Sequence, residues 1–276
     1  MVVHLSMKRS IVLLLLSLLP IFVSVLAQKE NIGTCIIKGN SVLGINYTDT
    51  YPMYSVMKFP QALYIANKLA NSGAGLNEIV TVKRADLMQN TWSPMLKEMA
   101  DEGSFSYGEL LALSLQQSDN NACDILFREF GGPKRVERFL RRIGFKQIHV
   151  RKTEQQMHAT PSASSLNWTT PKEMACLLLW FYQHHNDNVY MQYIWNLLAE
   201  CRTGEDRIPA ALPEGASVVH KTGTGYPTQF GPSGIADVGI VMMPDGKDFP
   251  IAVFVESPVN SSRIAEIARD LMAIPD

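Results

Sequence analysis

The chain has 276 residues, of which 46% are hydrophobic and 18% charged, and its formal net charge is −1. This length and composition predict one large globular domain, or two lobes sharing a core, and exclude a disordered or collagen-like chain. A near-neutral chain without a basic run is a poor candidate for nucleic-acid binding, because that affinity depends on cations that neutralise phosphates. The four cysteines are too few for a disulfide scaffold, and buried free thiols are expected. No metal-ligand spacing is present, so we expect neither a metal nor another cofactor.

The N-terminal segment resembles an export signal. Lys8 and Arg9 precede an apolar run from Ile11 to Ala27, which contains Pro20. A membrane-spanning helix needs about 20 apolar residues, and this run is shorter. The pattern therefore favours a cleaved signal over a membrane anchor.

We accordingly expect residues 1–27 to be removed and residues 28–276 to form a single domain. The mature protein is expected to be exported, in the periplasm, with no stable membrane anchor and no nucleic-acid partner. Either Met1 or Met7 fits as the translation start, because the basic residues follow Met7 at once.

Turn signals predict the first folded elements. Gly39-Asn40 stands between the strand-like runs Ile32–Lys38 and Ser41–Asn46, which predicts a β-hairpin. A helix should begin at about Val56–Phe59, since Pro60 is tolerated only in a first turn.

Capping signals predict three helices in the middle of the chain. Ser106 and Glu109 form a capping box that opens a helix through Leu115. Pro133 starts a second helix, which Gly144 ends. A third runs from the cap Thr170-Pro171-Lys172-Glu173 through Tyr182.

The C-terminal part is strand-rich. Its predicted elements are three strands, a tight turn between the last two and a final helix: Ser217–Thr222, Ile235–Met243, Phe249–Glu256, Asp245-Gly246 and a helix from near Ser262. Strands at both ends and helices between them predict an α/β (α+β) fold in which both termini build one antiparallel sheet. We expect a sheet lobe over about 28–54 and 205–276 and a helical lobe over about 55–204, with the functional site in the cleft between them.

Three short motifs carry candidate chemistry. Ser55-Val56-Met57-Lys58 places a hydroxyl and an amine on one helix face, and a lysine can take the proton that activates a serine. Chance gives roughly one Ser-x-x-Lys per chain of this length, but only about 0.04 copies of Ser118-Asp119-Asn120 and about 0.06 of Lys221-Thr222-Gly223. Taken alone, the second motif also fits a polar turn and the third a strand that ends in a glycine turn.

With all three motifs in this order, the chain resembles the serine penicillin-recognising enzymes, and most closely the class A β-lactamases. The resemblance spans about Gly33 to Leu271. The three motifs do not separate β-lactamases from cell-wall transpeptidases and carboxypeptidases. Glu154 separates them. It stands in Thr153–His158 ahead of a polar stretch and resembles the Ω-loop glutamate that activates water for deacylation in β-lactamases. Without the motifs, Glu154 would be interpreted as a solvated loop acid.

The resemblance implies a role for each motif residue. Ser55 would attack the lactam carbonyl, and the backbone N–H groups of Ser55 and Thr224 would form the oxyanion hole. Lys58 and Glu154 are both candidate bases for acylation, and the family leaves the choice open. Ser118 would pass a proton to the departing ring nitrogen.

The remaining implied roles concern substrate binding. Asn120 would bind the acylamide of the substrate and contact Lys58, and the loop Lys221-Thr222-Gly223-Thr224 would hold the substrate carboxylate. Trp92 matches an aromatic residue at the cleft entrance, although ordinary surface packing explains it equally well.

Several residues depart from the usual class A pattern. His158 and Asp124 replace asparagines that support the deacylating water and the Ω loop, and both changes occur in a cephalosporinase-leaning subgroup. A carboxylate at Asp124 could bind main-chain N–H groups of the loop. Thr224 also favours cephalosporins in the family. No arginine stands on the strand Ile235–Met243, where many members use one for the substrate carboxylate.

The segment before the hairpin is short. Gln28–Asn31 cannot supply the helix that usually packs beside the C-terminal helix, so we expect the apolar face of Ile264, Ile267 and Leu271 to be poorly covered.

The sequence thus predicts an exported serine β-lactamase that acts as a monomer on β-lactams and confers antibiotic resistance. Two alternatives stay open at this point. One is a penicillin-binding D-alanyl-D-alanine carboxypeptidase, which Glu154 disfavours. The other is a lactam sensor that forms the acyl-serine and keeps it.

Overall fold

A computed structural model describes residues 29–229 and 231–275 of the chain. The predicted signal, residues 1–27, lies outside the described residues. Within the described part, no helix is both long and apolar enough to cross a membrane.

Strands from the two ends of the chain form one five-stranded antiparallel sheet, in the order β2-β1-β12-β11-β8. Its strands are β1 (Asn31–Lys38), β2 (Ser41–Leu43), β8 (Ser217–Thr224), β11 (Gly234–Met242) and β12 (Phe249–Glu256). The shorter strands are β3 (Tyr51–Pro52), β4 (Ile79–Lys83), β5 (Glu102–Ser106), β6 (Ile148–His149), β7 (Trp168–Thr169), β9 (Pro227–Thr228) and β10 (Gly231–Pro232). The predicted fold class is confirmed.

In chain order, most of the helices lie between the first two strands of this sheet, β1 and β2, and its last three, β8, β11 and β12. They are α1 (Lys58–Ala70), α2 (Pro94–Glu98), α3 (Tyr107–Gln116), α4 (Asn120–Phe130), α5 (Pro133–Arg142), α6 (Glu154–Ala159), α7 (Pro171–His184), α8 (Val189–Ala199) and α9 (Arg263–Met272). Single 3₁₀ turns occupy Tyr54–Met57, Arg84–Asp86, Pro161–Leu166 and Ile208–Ala211.

The local signals in the sequence account for most of these bounds. The β1–β2 hairpin, the capping box of α3 and the Thr170 cap of α7 are confirmed. β2 ends at Leu43, earlier than predicted, because a Cβ on Gly44 would lie 2.0 Å from the Thr34 carbonyl oxygen and the chain turns away there.

The central strands β11 and β12 are buried on both faces of the sheet, and Asp237 is the one charged side chain buried within them. Alternate side chains of β12 enter two separate cores: Ala252 and Phe254 pack with the helical lobe, whereas Ile251 and Val253 pack beneath α9.

The prediction of a poorly covered C-terminal helix is wrong. Ile264 is fully buried, and Leu271 and Ile267 are only 5% and 9% exposed. These side chains face β12 and the 3₁₀ turn Ile208–Ala211, so the sheet itself and this turn cover the apolar face of α9.

Candidate active site

The predicted nucleophile and its lysine lie at the start of α1. Ser55 stands in the 3₁₀ turn Tyr54–Met57, and Lys58 is the first residue of α1. This spacing brings Lys58 Nζ to 2.8 Å from Ser55 Oγ. Lys58 is fully buried, so its charge must be met by protein groups.

Acceptor oxygens surround that ammonium group. Lys58 Nζ lies 2.8 Å from Glu154 Oε1, 2.7 Å from Asn120 Oδ1 and 3.0 Å from the backbone oxygen of Ser118. The Ser118 hydroxyl is a more distant neighbour at 3.4 Å. The first and second motifs and Glu154 therefore converge on one buried cation.

The second motif is held in a strained turn. Ser118 has φ of +58°, a conformation that non-glycine residues seldom adopt. The next residue, the fully buried Asp119, caps α4 by accepting from Ala122 N and also accepts from Ser93 Oγ and Met95 N. These bonds fix the turn, so that both Ser118 and Asn120 point at Lys58.

The third motif ends β8. Lys221 Nζ donates to Ser118 Oγ at 3.0 Å and to the backbone oxygen of Thr222 at 3.0 Å. Burial lowers the pKa of Lys221 to about 8, and the positive charge of Lys58 acts in the same direction.

Gly223 lets β8 approach the 3₁₀ turn Tyr54–Met57, which contains Ser55. A Cβ at this position would lie 2.6 Å from the Met53 carbonyl oxygen and 3.2 Å from Tyr54 Cβ. Only glycine therefore allows the contact that brings Thr224 beside Ser55.

Glu154 begins α6, and its side chain lies 3.4 Å from Ser55 Oγ. The resemblance predicts a loop for this stretch, but Thr153 and Gln156 form a capping box that starts a short helix. From the other side, the two carboxylate oxygens of Asp124 accept from Glu154 N at 2.7 Å and from Gln155 N at 2.8 Å. This is the contact considered above for a carboxylate at position 124.

Asn167 closes the base of the same segment. Its side-chain oxygen accepts from the backbone N–H groups of Arg151 and Lys152, and its amide donates to the Lys152 carbonyl. Asn167 is fully buried, so these bonds are shielded from water.

Several of these groups border one open cavity of about 720 Å³, which Ser55, Ser118, Asn120, Glu154, Thr222 and Thr224 help to line. That is within the range of small-molecule sites. Its polar groups converge on the Ser55 hydroxyl, as required for covalent catalysis by a serine with an adjacent base.

Comparisons with known proteins identify the family of the chain. Residues 23–274 match the model of the beta-lactamase enzyme family. The chain is 35% identical over 246 residues to the extended-spectrum beta-lactamase PER-1 of Pseudomonas aeruginosa, covering 88% of this chain and 80% of that protein. It is also 32% identical to beta-lactamase VEB-1 of the same organism, with 88% and 85% covered.

Solved structures show the same relationship. The TLA-1 extended-spectrum beta-lactamase superposes with a TM-score of 0.83 at 34% identity, covering 88% of this chain and 92% of that one. A class A beta-lactamase from Bacteroides cellulosilyticus gives 0.81 at 29% identity, covering 98% and 99%. The chain belongs to the class A β-lactamase family. It is a serine hydrolase that opens the amide bond of β-lactam antibiotics, a reaction that confers resistance.

Two predicted residues of this β-lactamase lie at the cavity mouth. Trp92 is 56% exposed, and its indole N–H donates to the Gln117 carbonyl at 2.8 Å while Lys97 Nζ lies 5.3 Å from the ring centre. His158 is exposed on α6 and also borders the cavity.

Arg207 borders the site but belongs to none of the sequence motifs. Its guanidinium donates to Thr224 Oγ1 at 2.7 Å and to the carbonyl oxygens of Gly223 and Ala236 at 2.8 and 2.9 Å. It borders the cavity next to Thr222 and is only 7% exposed. The β-lactamase therefore brings a cation to this corner from the loop after α8. An arginine in a glycine-containing polar loop was the only available signal in the sequence.

Over residues 29–229 and 231–275, no cluster of three or more His, Cys, Asp and Glu side chains is arranged to hold a metal ion. The four cysteines are free thiols, with Cys35 and Cys123 buried and Cys176 and Cys201 partly exposed.

Proposed function

We propose that Ser55 is the nucleophile of an acyl-serine mechanism in this β-lactamase, with Lys58, Ser118 and Glu154 as its other catalytic residues. The observation that carries the proposal is the position of Ser55 Oγ between Lys58 Nζ at 2.8 Å and Glu154 Oε1 at 3.4 Å, at the edge of the cavity. A carboxylate and an amine within reach of one hydroxyl supply both proton acceptor and charge stabilisation.

Glu154 is the acylation base in this mechanism. Lys58 Nζ lies 2.8 Å from the Glu154 carboxylate and donates to the Asn120 side-chain oxygen, the Ser118 backbone oxygen and Ser55 Oγ, so its role in this arrangement is that of a hydrogen-bond donor. Glu154 takes the Ser55 proton, while Lys58 stabilises the negative charge that grows on the serine oxygen.

Ser118 returns the proton to the leaving group. Its hydroxyl lies 3.0 Å from Lys221 Nζ and 3.4 Å from Lys58 Nζ, so two cations orient it and favour release of its proton to the lactam nitrogen. Ser118 regains a proton from Glu154 through Lys58 Nζ, which lies 2.8 Å from Glu154 Oε1 and 3.4 Å from Ser118 Oγ. Glu154, again a carboxylate, then takes a proton from water as the water attacks the acyl-serine, and it returns that proton to the departing Ser55 oxygen.

The β8 edge binds the rest of the substrate. The backbone N–H groups of Ser55 and Thr224 form the oxyanion hole. The substrate carboxylate lies against Lys221, Thr222 and Thr224, supported by Arg207, and Asn120 binds the acylamide. Gly223 supplies the close approach, Trp92 lines the entrance, and His158 and Asp124 support the water-activating segment.

Cephalosporins, including those with bulky side chains, are the proposed preferred substrates. The cavity of about 720 Å³ is open to solvent, and PER-1 and TLA-1, two of the proteins to which this chain is similar, are extended-spectrum enzymes by name. kcat/KM values for a small penicillin and a bulky cephalosporin, measured side by side, test this preference, and a strong preference for the penicillin would contradict it.

The decisive experiment combines turnover of a chromogenic cephalosporin with intact-protein mass spectrometry. We expect fast turnover by the wild type, an accumulated acyl-enzyme in Glu154→Gln, and neither in Ser55→Ala. A wild type that keeps the adduct would instead support the sensor, and turnover by Ser55→Ala would refute the serine mechanism. Release of D-alanine from a D-alanyl-D-alanine peptide would support the carboxypeptidase.

We also propose that the enzyme is exported to the periplasm and acts as a monomer. Lys8, Arg9 and the apolar run after them support export, and a cavity formed within one chain supports the monomer. N-terminal sequencing of protein from a periplasmic extract should begin after Ala27, and sedimentation should give a single species at monomer mass.

A further inference from the structure

A cysteine, a histidine and an aspartate form a second chemical cluster behind β8, which we call the thiol cluster (Cys201, His220, Asp237). His220 Nδ1 lies 2.9 Å from Asp237 Oδ1. The His220 imidazole is close enough to the Cys201 thiol to shift the pKa of that thiol. Asp237 is fully buried and His220 is 4% exposed, whereas Cys201 is partly exposed. No member of the cluster contributes to the mechanism above.

The order of the three groups is that of an activated nucleophile. Asp237 orients and charges His220, and His220 in turn faces the thiol. Burial opposes ionisation of Cys201, but the hydrogen bond and positive charge of His220 outweigh it and lower the thiol pKa to about 7.

The pKa values of the other three thiols are shifted in the opposite direction. Burial raises the pKa of Cys35 to about 12, raises that of Cys123 well above its ordinary value and also raises that of Cys176. Only the thiolate attacks electrophiles, so Cys201 should react first although Cys176 is also partly exposed.

The cluster contacts the substrate cavity through two threonines. Cys201 Sγ lies 3.4 Å from Thr203 Oγ1, and Thr203 Oγ1 lies 2.5 Å from Thr222 Oγ1. Both threonines line the cavity. A group added to Cys201 would have to displace Thr203, because the neighbouring Arg202 N is fixed by its bond to the Gln116 carbonyl.

We propose that Cys201 is a covalent modification site for small, uncharged, sulfur-directed electrophiles, and that its modification impairs hydrolysis by displacing Thr203 and Thr222. The effect on hydrolysis rests on the proposed role of Thr222 in binding the substrate carboxylate. The reactivity of Cys201 does not depend on that role.

Methyl methanethiosulfonate is a suitable probe, and its reaction is balanced without another reactant. The Cys201 sulfur attacks the methylthio sulfur, a protein S–SCH₃ bond forms, and the bond to the sulfonyl sulfur breaks. Methanesulfinate leaves with the electron pair, and the thiol proton passes to His220 or to solvent. The cysteine is oxidised to a mixed disulfide while the sulfonyl sulfur is reduced.

The test follows labelling and activity together on the whole enzyme. With limiting reagent, peptide mapping should find the first S-methylthio group on Cys201, with a fall in kcat/KM of about tenfold or more for a carboxylate-bearing β-lactam, the size expected for loss of a bond to a charged group. Dithiothreitol should restore activity, which excludes irreversible unfolding.

Matched variants separate the possible results. Cys201→Ser and Cys201→Ala should hydrolyse the substrate and resist the reagent, whereas Cys176→Ser should remain as sensitive as the wild type. His220→Asn should slow labelling of Cys201. Three results would overturn the proposal. They are first labelling at Cys176, full labelling of Cys201 without loss of activity, and inhibition of both Cys201 variants by the reagent to the same extent as the wild type. An untreated wild type that fails to hydrolyse the substrate would instead overturn the proposed mechanism.

Discussion

Two ammonium groups lie on either side of the Ser118 hydroxyl, Lys221 Nζ at 3.0 Å and Lys58 Nζ at 3.4 Å. Each is buried, so neither charge is screened by water. The arrangement favours an anion beside them, whether it is the serine oxygen during proton transfer or the carboxylate of a bound substrate.

Lys221 should therefore set the basic limit of the reaction. Its pKa is lowered to about 8, so the charged form is lost as pH rises through 8 and carboxylate binding weakens. We expect kcat/KM for a carboxylate-bearing β-lactam to fall above about pH 8, and Lys221→Arg to lose this basic limb because a guanidinium stays charged. The pH profiles of the two enzymes check this, and an unchanged limb in Lys221→Arg would count against Lys221.

Arg207 should matter for substrate binding more than for the chemical step. Loss of a bond to a charged group costs about 1.5–3 kcal/mol, so Arg207→Ala should lower kcat/KM by about 10–150-fold, mainly through KM. Steady-state kinetics with Arg207→Lys as the matched control measure the effect. If a substrate analogue without the carboxylate suffers the same loss, the effect comes from the bonds of Arg207 to Gly223 and Ala236 instead.

At the scale of secondary-structure elements, the start of α6 is held by one distant side chain. Asp124, on α4, holds the first two N–H groups of α6 and thereby positions Glu154 against Lys58. Burial raises the pKa of Asp124 to about 6, and the negative charge of Glu154 contributes.

This shift has opposite consequences for activity and stability. As pH falls through about 6, Asp124 gains a proton and loses an acceptor for α6, so deacylation should slow. Because the pKa is raised in the folded state, the contribution of Asp124 to the free energy of unfolding is fully present below its unfolded value near 3.9 and is lost as pH rises through 6. Asp124→Asn should remove the Asp124 part of the pH dependence of stability between about 4 and 6, as denaturant titrations of variant and wild type at each pH would show. Identical curves for variant and wild type would contradict the assignment.

At the scale of the whole molecule, the five-stranded sheet separates two hydrophobic cores. The helical-lobe core holds the elements that carry Ser55, Ser118 and Glu154, whereas the core beneath α9 lies on the other face of the sheet. Stability and catalysis should therefore be separable by mutation.

Ile264→Ala tests this separation. Ile264 is fully buried beneath α9, so its truncation should lower the free energy of unfolding by about 2–5 kcal/mol, and Ile264→Val by about 0.5–1.5 kcal/mol. Urea unfolding measures both, and kcat/KM well below the melting temperature should stay near the wild-type value. A large loss of kcat/KM in folded Ile264→Ala would show that the two cores are coupled.

The short-range features could be predicted from the sequence because their causes are local. The hairpin at Gly39-Asn40 and the caps at Ser106 and Thr170 are determined by neighbouring residues, and the observed elements follow them. The pairing of β4 with β5 was not predicted. The two strands are separated in the chain by the segment that contains α2, and no tight turn connects them.

By itself, the sequence determined the family and the antiparallel sheet built from both ends of the chain, and it named the serine, lysine and glutamate proposed as catalytic, because motif order and periodicity are properties of the chain. Only the tertiary structure decided which residues far apart in the chain contact each other. It placed Arg207 beside Thr224, Asp124 beside the start of α6 and His220 beside Asp237, and it buried the face of α9 that the sequence predicted to be poorly covered. The physical reason is that burial and charge pairing depend on which elements pack together, and no local pattern specifies that packing.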